Sequence, residues 1–166
     1  MERGTNPQTK PGEESALILR AAVIVSSLAG LADALYFTFA WYGRVRRARW
    51  VPPALCAPEG SSCVAVVRTP YGSVFGLPNS LLGIIYYGLL ILWALAWQSV
   101  AFGFQLGMMS YSITFTSLLT AASAATVALG FYLIYALRRI LRINCPFCYA
   151  AHAINLALLV MLILAR

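Results

Sequence analysis

Asn144-Cys145-Pro146-Phe147-Cys148-Tyr149-Ala150-Ala151-His152 stands where a basic turn meets the last apolar run of the chain. Proline suits the first helical position, because its missing N–H is one of those the first turn leaves unpaired anyway. Pro146 therefore predicts a helix start with Cys145 at the N-cap and Cys148 at the third helical position. Both sulfurs then lie among unpaired backbone N–H groups at the positive end of a helix dipole, a setting that favours thiolate, the reactive form of cysteine. His152 follows Cys148 by four residues and shares its helix face. A C-x-x-C that opens an apolar helix reads first as a redox pair.

Outward from that stretch the chain is built for lipid. Of its 166 residues 61% are hydrophobic and 10% charged, against about 25% charged in a soluble domain. Mean hydropathy is +0.78. Apolar runs over 17–42, 79–104, 108–137 and 147–164 are each long enough to cross about 30 Å of hydrocarbon. They predict an all-α fold: an integral membrane four-helix bundle in one domain, 16–166, with a long cysteine-bearing loop between helices 1 and 2. Net charge is +7, but the basic residues cluster in loops beside the apolar runs. That pattern suits a membrane flank and excludes a nucleic-acid groove.

Residues 1–15 are polar, carry Glu13 and Glu14, and read as a disordered tail without the pattern of a signal peptide. Asp33 lies near the middle of the first span. An acid there costs roughly 2.5–3.5 kcal/mol on insertion scales, so it is either bonded inside the bundle or part of a proton path. The loop carries Cys56 and Cys63 with six residues between them, a spacing that suits a mobile segment. Val74-Phe75-Gly76-Leu77-Pro78 is apolar but short, and fits a dip into the interface. Trp93 and Trp97 fall toward the far end of the second span, as in an aromatic belt. The third span holds Ser110, Ser112, Ala121, Ala122, Ser123, Ala124 and Ala125, small residues that permit close helix contact.

An even number of spans puts both termini on one side. Cys56, Cys63, Cys145 and Cys148 then share the other, where thiol exchange among them is open. Two structural disulfides, or a four-cysteine zinc site, are the plainer alternatives. The wide first spacing suits a zinc knuckle poorly, and no metal is expected.

The loop reads Ala54-Leu55-Cys56, then Cys63-x-x-Val66-x-x-Thr69, then Gly72-x-x-Phe75-Gly76. Asn79-Ser80-x-x-Gly83 and Tyr86-Tyr87 follow, then Tyr132-Leu133-x-x-x-Leu137-x-x-x-Leu141-x-x-x-Cys145, and finally Cys145-x-x-Cys148-x-x-x-x-Ala153-Ile154-Asn155. Over about residues 54–156 this pattern resembles the vitamin K epoxide reductase family of membrane thiol oxidoreductases. The order of four cysteines, the hydroxyl six residues past Cys63 and the four spans make the resemblance specific. Three features depart from the vertebrate members. The loop cysteines are one residue closer, the stretch between Gly76 and Asn79 is shorter, and His152 stands where those members have a quinone-bonding tyrosine. An imidazole can also donate such a bond. The chain resembles prokaryotic-type members and is expected to lack the thioredoxin-like domain fused to many of them.

The resemblance implies a path for electrons. Cys145 and Cys148 would form the quinone-facing disulfide, Cys148 passing two electrons to a quinone of the menaquinone, ubiquinone or vitamin K type. Cys145, the more accessible sulfur, would exchange with Cys63, and Cys56 would resolve that bridge and meet a thioredoxin-like partner. Disulfide formation in other proteins would be the result. Asn79 and His152 would bond the quinone oxygens. Val66, Val67, Tyr71, Phe75, Tyr86, Leu133, Leu137 and Leu141 would line its pocket, the last three on one helix face. Thr69 would orient Cys63 or the quinone, or cap its own loop. The alternative from another class is a four-span structural or interaction protein with a disulfide-locked loop.

Charge predicts an orientation. Eight basic residues flank the cysteine side (Arg44, Arg46, Arg47, Arg49, Arg68, Arg138, Arg139, Arg142) and four the side of the termini (Arg3, Lys10, Arg20, Arg166). Basic loops stay cytoplasmic, so the expected active site faces the cytoplasm, an inverted topology for this family. The outward-facing arrangement is the alternative.

Overall fold

The computed structural model describes residues 11–44, 62–74, 76–96, 101–106 and 109–165. Among the described residues four helices are long and apolar enough to cross a membrane: Glu13–Trp41, Asn79–Ala96, Phe115–Leu141 and Pro146–Leu164. The chain is an all-α multi-pass bundle, as its hydropathy predicts.

Helix α1 runs Pro11–Trp41. Residues 11–15 are therefore helical, not part of a disordered tail. Pro11 suits a first helical position, and Glu13 and Glu14 meet the positive end of the dipole. The helix stops at Gly43, whose φ of +69° is left-handed. Its N–H bonds the Ala40 carbonyl at 3.1 Å and the Arg44 N–H bonds Phe39 at 3.0 Å, which is a Schellman ending. A short helix α2, Ser62–Val67, lies in the loop, followed by a single tight turn over Pro70–Gly72. Two-residue strands β1 (Ser73–Val74) and β2 (Leu77–Pro78) then pair antiparallel and deliver the chain to α3, Asn79–Ala96. Gly76 takes the positive φ, +79°, that reverses the chain between them.

The second and third spans are shorter than their apolar runs. Strands β3 (Ala101–Leu106) and β4 (Met109–Thr114) form an antiparallel ribbon where 79–104 and 108–137 predict helix. The reason lies in the period. Phe102, Phe104 and Leu106 alternate with Ala101, Gly103 and Gln105, and Met109, Tyr111 and Ile113 alternate with Ser110, Ser112 and Thr114. Period two is a strand pattern, and Gly103 and Gly107 disfavour helix. Thr114 then caps α4, Phe115–Tyr135, its hydroxyl accepting the Ser117 N–H at 3.2 Å. The final helix, α5, spans Pro146–Leu164.

Two apolar clusters hold the bundle. One joins Val23, Ala34, Tyr87, Leu90, Trp93, Leu119, Leu158 and Leu162 through its middle. Trp93 is buried here, not in an interfacial belt; Trp97 lies outside the described residues. Of the small residues in the third span, Ser123 packs inward, whereas Ala121, Ala122, Ala124 and Ala125 are exposed and Ser110 and Ser112 lie on β4. Close contact comes instead from Gly30, which seats the Tyr87 ring, and from Gly83 against Ala34. The second cluster closes the cysteine end, with Phe37, Ala40, Val66, Val67, Leu137 and Cys145.

Candidate active site

The C-x-x-C pair is presented by an unusual helix ending. Helix α4 widens into a π-helical turn over Ala136–Leu141, and Arg142 stops it in the left-handed region at φ 54°. The N–H groups of Arg142 and Ile143 both bond the Leu137 carbonyl. This reversal returns the chain so that Cys145 can cap α5. Its sulfur accepts the Cys148 N–H at 3.3 Å, with Pro146 in the first turn, as the stretch predicts. The two sulfurs face each other at 2.6 Å. The Arg138 guanidinium lies 5.3 Å above the Tyr149 ring, bracing the π turn against α5.

The two cysteines differ in their surroundings. Cys148 lines a cavity of about 250 Å³ between α1, α3, α4, α5 and the loop. Cys145 is fully buried in the cluster with Phe37, Val66, Val67 and Leu137. The expectation that Cys145 is the more accessible sulfur is thereby corrected: the N-cap position lies under α2, not in solvent. Cys63 sits on the backbone of α2, one turn before Val67. Cys56 lies outside the described residues.

Eight of the residues expected to form a pocket line this one: Val66, Val67, Tyr71, Asn79, Tyr86, Leu133, Leu137 and His152. Phe75 lies outside the described residues. Leu141 does not line the cavity, because the π turn breaks the spacing that put it on the face of Leu133 and Leu137. Thr69 donates to the Val66 carbonyl at 2.7 Å and so caps its own loop. The amide of Asn79 donates to the Tyr71 carbonyl at 2.9 Å, tying the loop turn to the start of α3. The Tyr86 hydroxyl meets Ser123 at 2.7 Å, which leaves its ring as wall.

Sequence reasoning did not place Asp33, Phe37, Ser80, Gly83, Tyr87, Gly130 or Asn155 in the site, yet all line it. A signal existed for three: Asp33, Tyr87 and Asn155 are polar groups inside apolar spans, where each needs a partner. Tyr87 and Asn155 supply one another, the tyrosine hydroxyl donating to Oδ1 at 2.7 Å. Gly130 permits the closest approach, since a Cβ there would lie 2.7 Å from Nδ1 of His152.

Buried polar atoms normally have partners. Among the described residues four side-chain atoms have none: on Ser27, Asp33, Asn79 and His152. The last three line the cavity. An apolar chamber holding a cysteine sulfur and three unsatisfied polar atoms is chemically prepared for an uncharged redox ligand with hydrogen-bonding oxygens.

This is the site of a membrane redox protein. The chain belongs to the vitamin K epoxide reductase family, whose model matches residues 21–163. Members of that family are oxidoreductases linked to quinones. No curated protein matches the chain.

Proposed function

We propose that this protein oxidises the dithiol of a thioredoxin-like partner and passes the two electrons to a membrane quinone, so supporting disulfide formation. One observation carries the reading. The Cys148 sulfur shares a single apolar cavity with the Asn79 amide and the unsatisfied Nδ1 of His152, while Cys145 stands behind it under the loop helix.

The partner's dithiol reduces a Cys56–Cys63 disulfide. The Cys63 thiolate then attacks Cys145 in the Cys145–Cys148 disulfide and frees Cys148. Cys56 resolves the Cys63–Cys145 bridge. Every exchange breaks one disulfide and makes one. Cys145 and Cys148 finally return to a disulfide, giving up two electrons and two protons, which convert quinone to quinol. The His152 imidazole and the second N–H of the Asn79 amide, whose first donates to Tyr71, hold the ring oxygens. Val66, Val67, Tyr71, Tyr86, Leu133 and Leu137 keep the chamber dry.

The test is quinone absorbance with purified protein, a small dithiol and several quinones. Wild type should bleach at least one quinone, and Cys148→Ala should abolish that bleaching. Full turnover in Cys148→Ala would overturn the reading.

A further inference from the structure

We infer that Asp33 delivers a proton to the quinone oxygen held at the inner end of the cavity. The inference rests on the cavity being the quinone site.

Asp33 lies one helical turn below Phe37, which packs in the cluster around Cys145. His152 lies one turn past Cys148. A turn is about 5.4 Å, so both stand a similar depth below the sulfurs, on helices that pack together. Both line the cavity, and Oδ1 of Asp33 and Nδ1 of His152 are buried without partners. Below them the Tyr87–Asn155 bond closes on itself and has no proton to give without breaking. Asp33 is the carboxyl in the chamber, and no Lys or Arg lines it among the described residues. A carboxylate there would be a buried charge without a counter-charge, whereas a carboxyl is a hydrogen-bond donor aimed at a ligand. Its cost in the middle of α1 is otherwise unexplained by any contact to Oδ1.

The step balances. Cys145 and Cys148 lose two protons and two electrons as their disulfide forms. Asp33 gives its proton to the inner oxygen as the electrons arrive. One thiol proton refills Asp33, and the other reaches the outer oxygen. No further reductant or acid is needed.

Asp33→Asn keeps the shape and removes the transferable proton, and Asp33→Glu restores an acid. Dithiol-driven quinone reduction should fall roughly 10²-fold in Asp33→Asn, the scale of a general acid, with the quinone KM little changed and partial recovery in Asp33→Glu. The wild-type rate should fall as pH rises and Asp33 loses its proton, and this limb should vanish in Asp33→Asn. Cys148, His152, Tyr71, Tyr86 and Tyr87 also line the cavity and titrate, so the limb is assigned by its loss in the variant. A second readout needs no turnover. Infrared difference spectra of the oxidised protein should show a carboxyl C=O band that shifts when quinone is added and is missing in Asp33→Asn. Wild type active, with an unchanged pH profile in Asp33→Asn and no such band, overturns the role of Asp33 alone. Wild type inert towards every quinone overturns the quinone site as well.

Discussion

The hydroxyl of Tyr87 on α3 donates to Oδ1 of Asn155 on α5 at 2.7 Å, with both side chains buried at the inner end of the cavity. This bond links two spans that are far apart in sequence and fixes the depth to which the chamber reaches. Tyr87→Phe should leave the Asn155 oxygen without a donor. Interhelical bonds in membranes are worth roughly 0.6–1.7 kcal/mol, so a loss of that size is expected in detergent unfolding. A Tyr87→Phe, Asn155→Leu double variant should cost less than the sum of the singles, because neither partner is then stranded.

His152 owes its place to Gly130. A Cβ on residue 130 would stand 2.7 Å from Nδ1 and 3.3 Å from Cγ of the imidazole. Gly130→Ala should push His152 out of its slot, raising the quinone KM while the KM for dithiol stays near wild type. Overpacking of this kind typically costs about 1–3 kcal/mol. The clash needs the imidazole, so adding Gly130→Ala to His152→Ala should do no further harm to quinone binding. Equal damage in either background would place the effect in α4 itself.

Much of this site is readable from residue types, and the rest is not for identifiable reasons. Pro146 between two cysteines specifies a helix start, and the helix starts there. Six of the predicted wall residues share a cavity with Asn79 and His152 because periodicity along a regular helix, and order along a short loop, are local properties. Leu141 fails where the helix stops being regular: a π turn is an i→i+5 event set by how the α4 end packs, and i, i+4 spacing does not foresee it. The ribbon at 101–114 was hidden by its hydropathy, although the alternation over Met109–Thr114 carried a strand period. The burial of Cys145 depends on α2 folding over it, a contact between distant segments.

That cover makes a prediction about exchange. Cys145 is fully buried beneath the helix that carries Cys63, while Cys148 opens to the cavity. Cys56→Ala removes the resolving thiol, so a Cys63–Cys145 bridge should accumulate, and a non-reduced digest examined by mass spectrometry should contain it. Oxidation of a protein dithiol should suffer more than turnover with a small dithiol. A digest holding only Cys145–Cys148, with Cys63 as a thiol, would sink this order of exchange.

Charge predicts the direction in which the cysteines face. Arg20 near the start of α1 reaches the Leu95 carbonyl at the end of α3, 2.6 Å away, which places it at the end of the bundle that carries the termini. Its charge therefore counts with Arg3, Lys10 and Arg166, four against eight on the cysteine side. Basic residues in short flanking loops are retained in the cytoplasm, and acids weigh little. The eight should hold the cysteine end inside, opposite to the family's usual arrangement, and a disulfide-forming enzyme so placed suits a cell whose intracellular proteins are disulfide-rich. An exported phosphatase fused after Arg166 should then be active and a cytoplasmic reporter at the same point silent. Replacing Arg46, Arg47 and Arg49 by Gln brings the counts to five against four and should yield a mixed population of both orientations. A silent phosphatase and an active cytoplasmic reporter in the unmodified chain would place the active site outside.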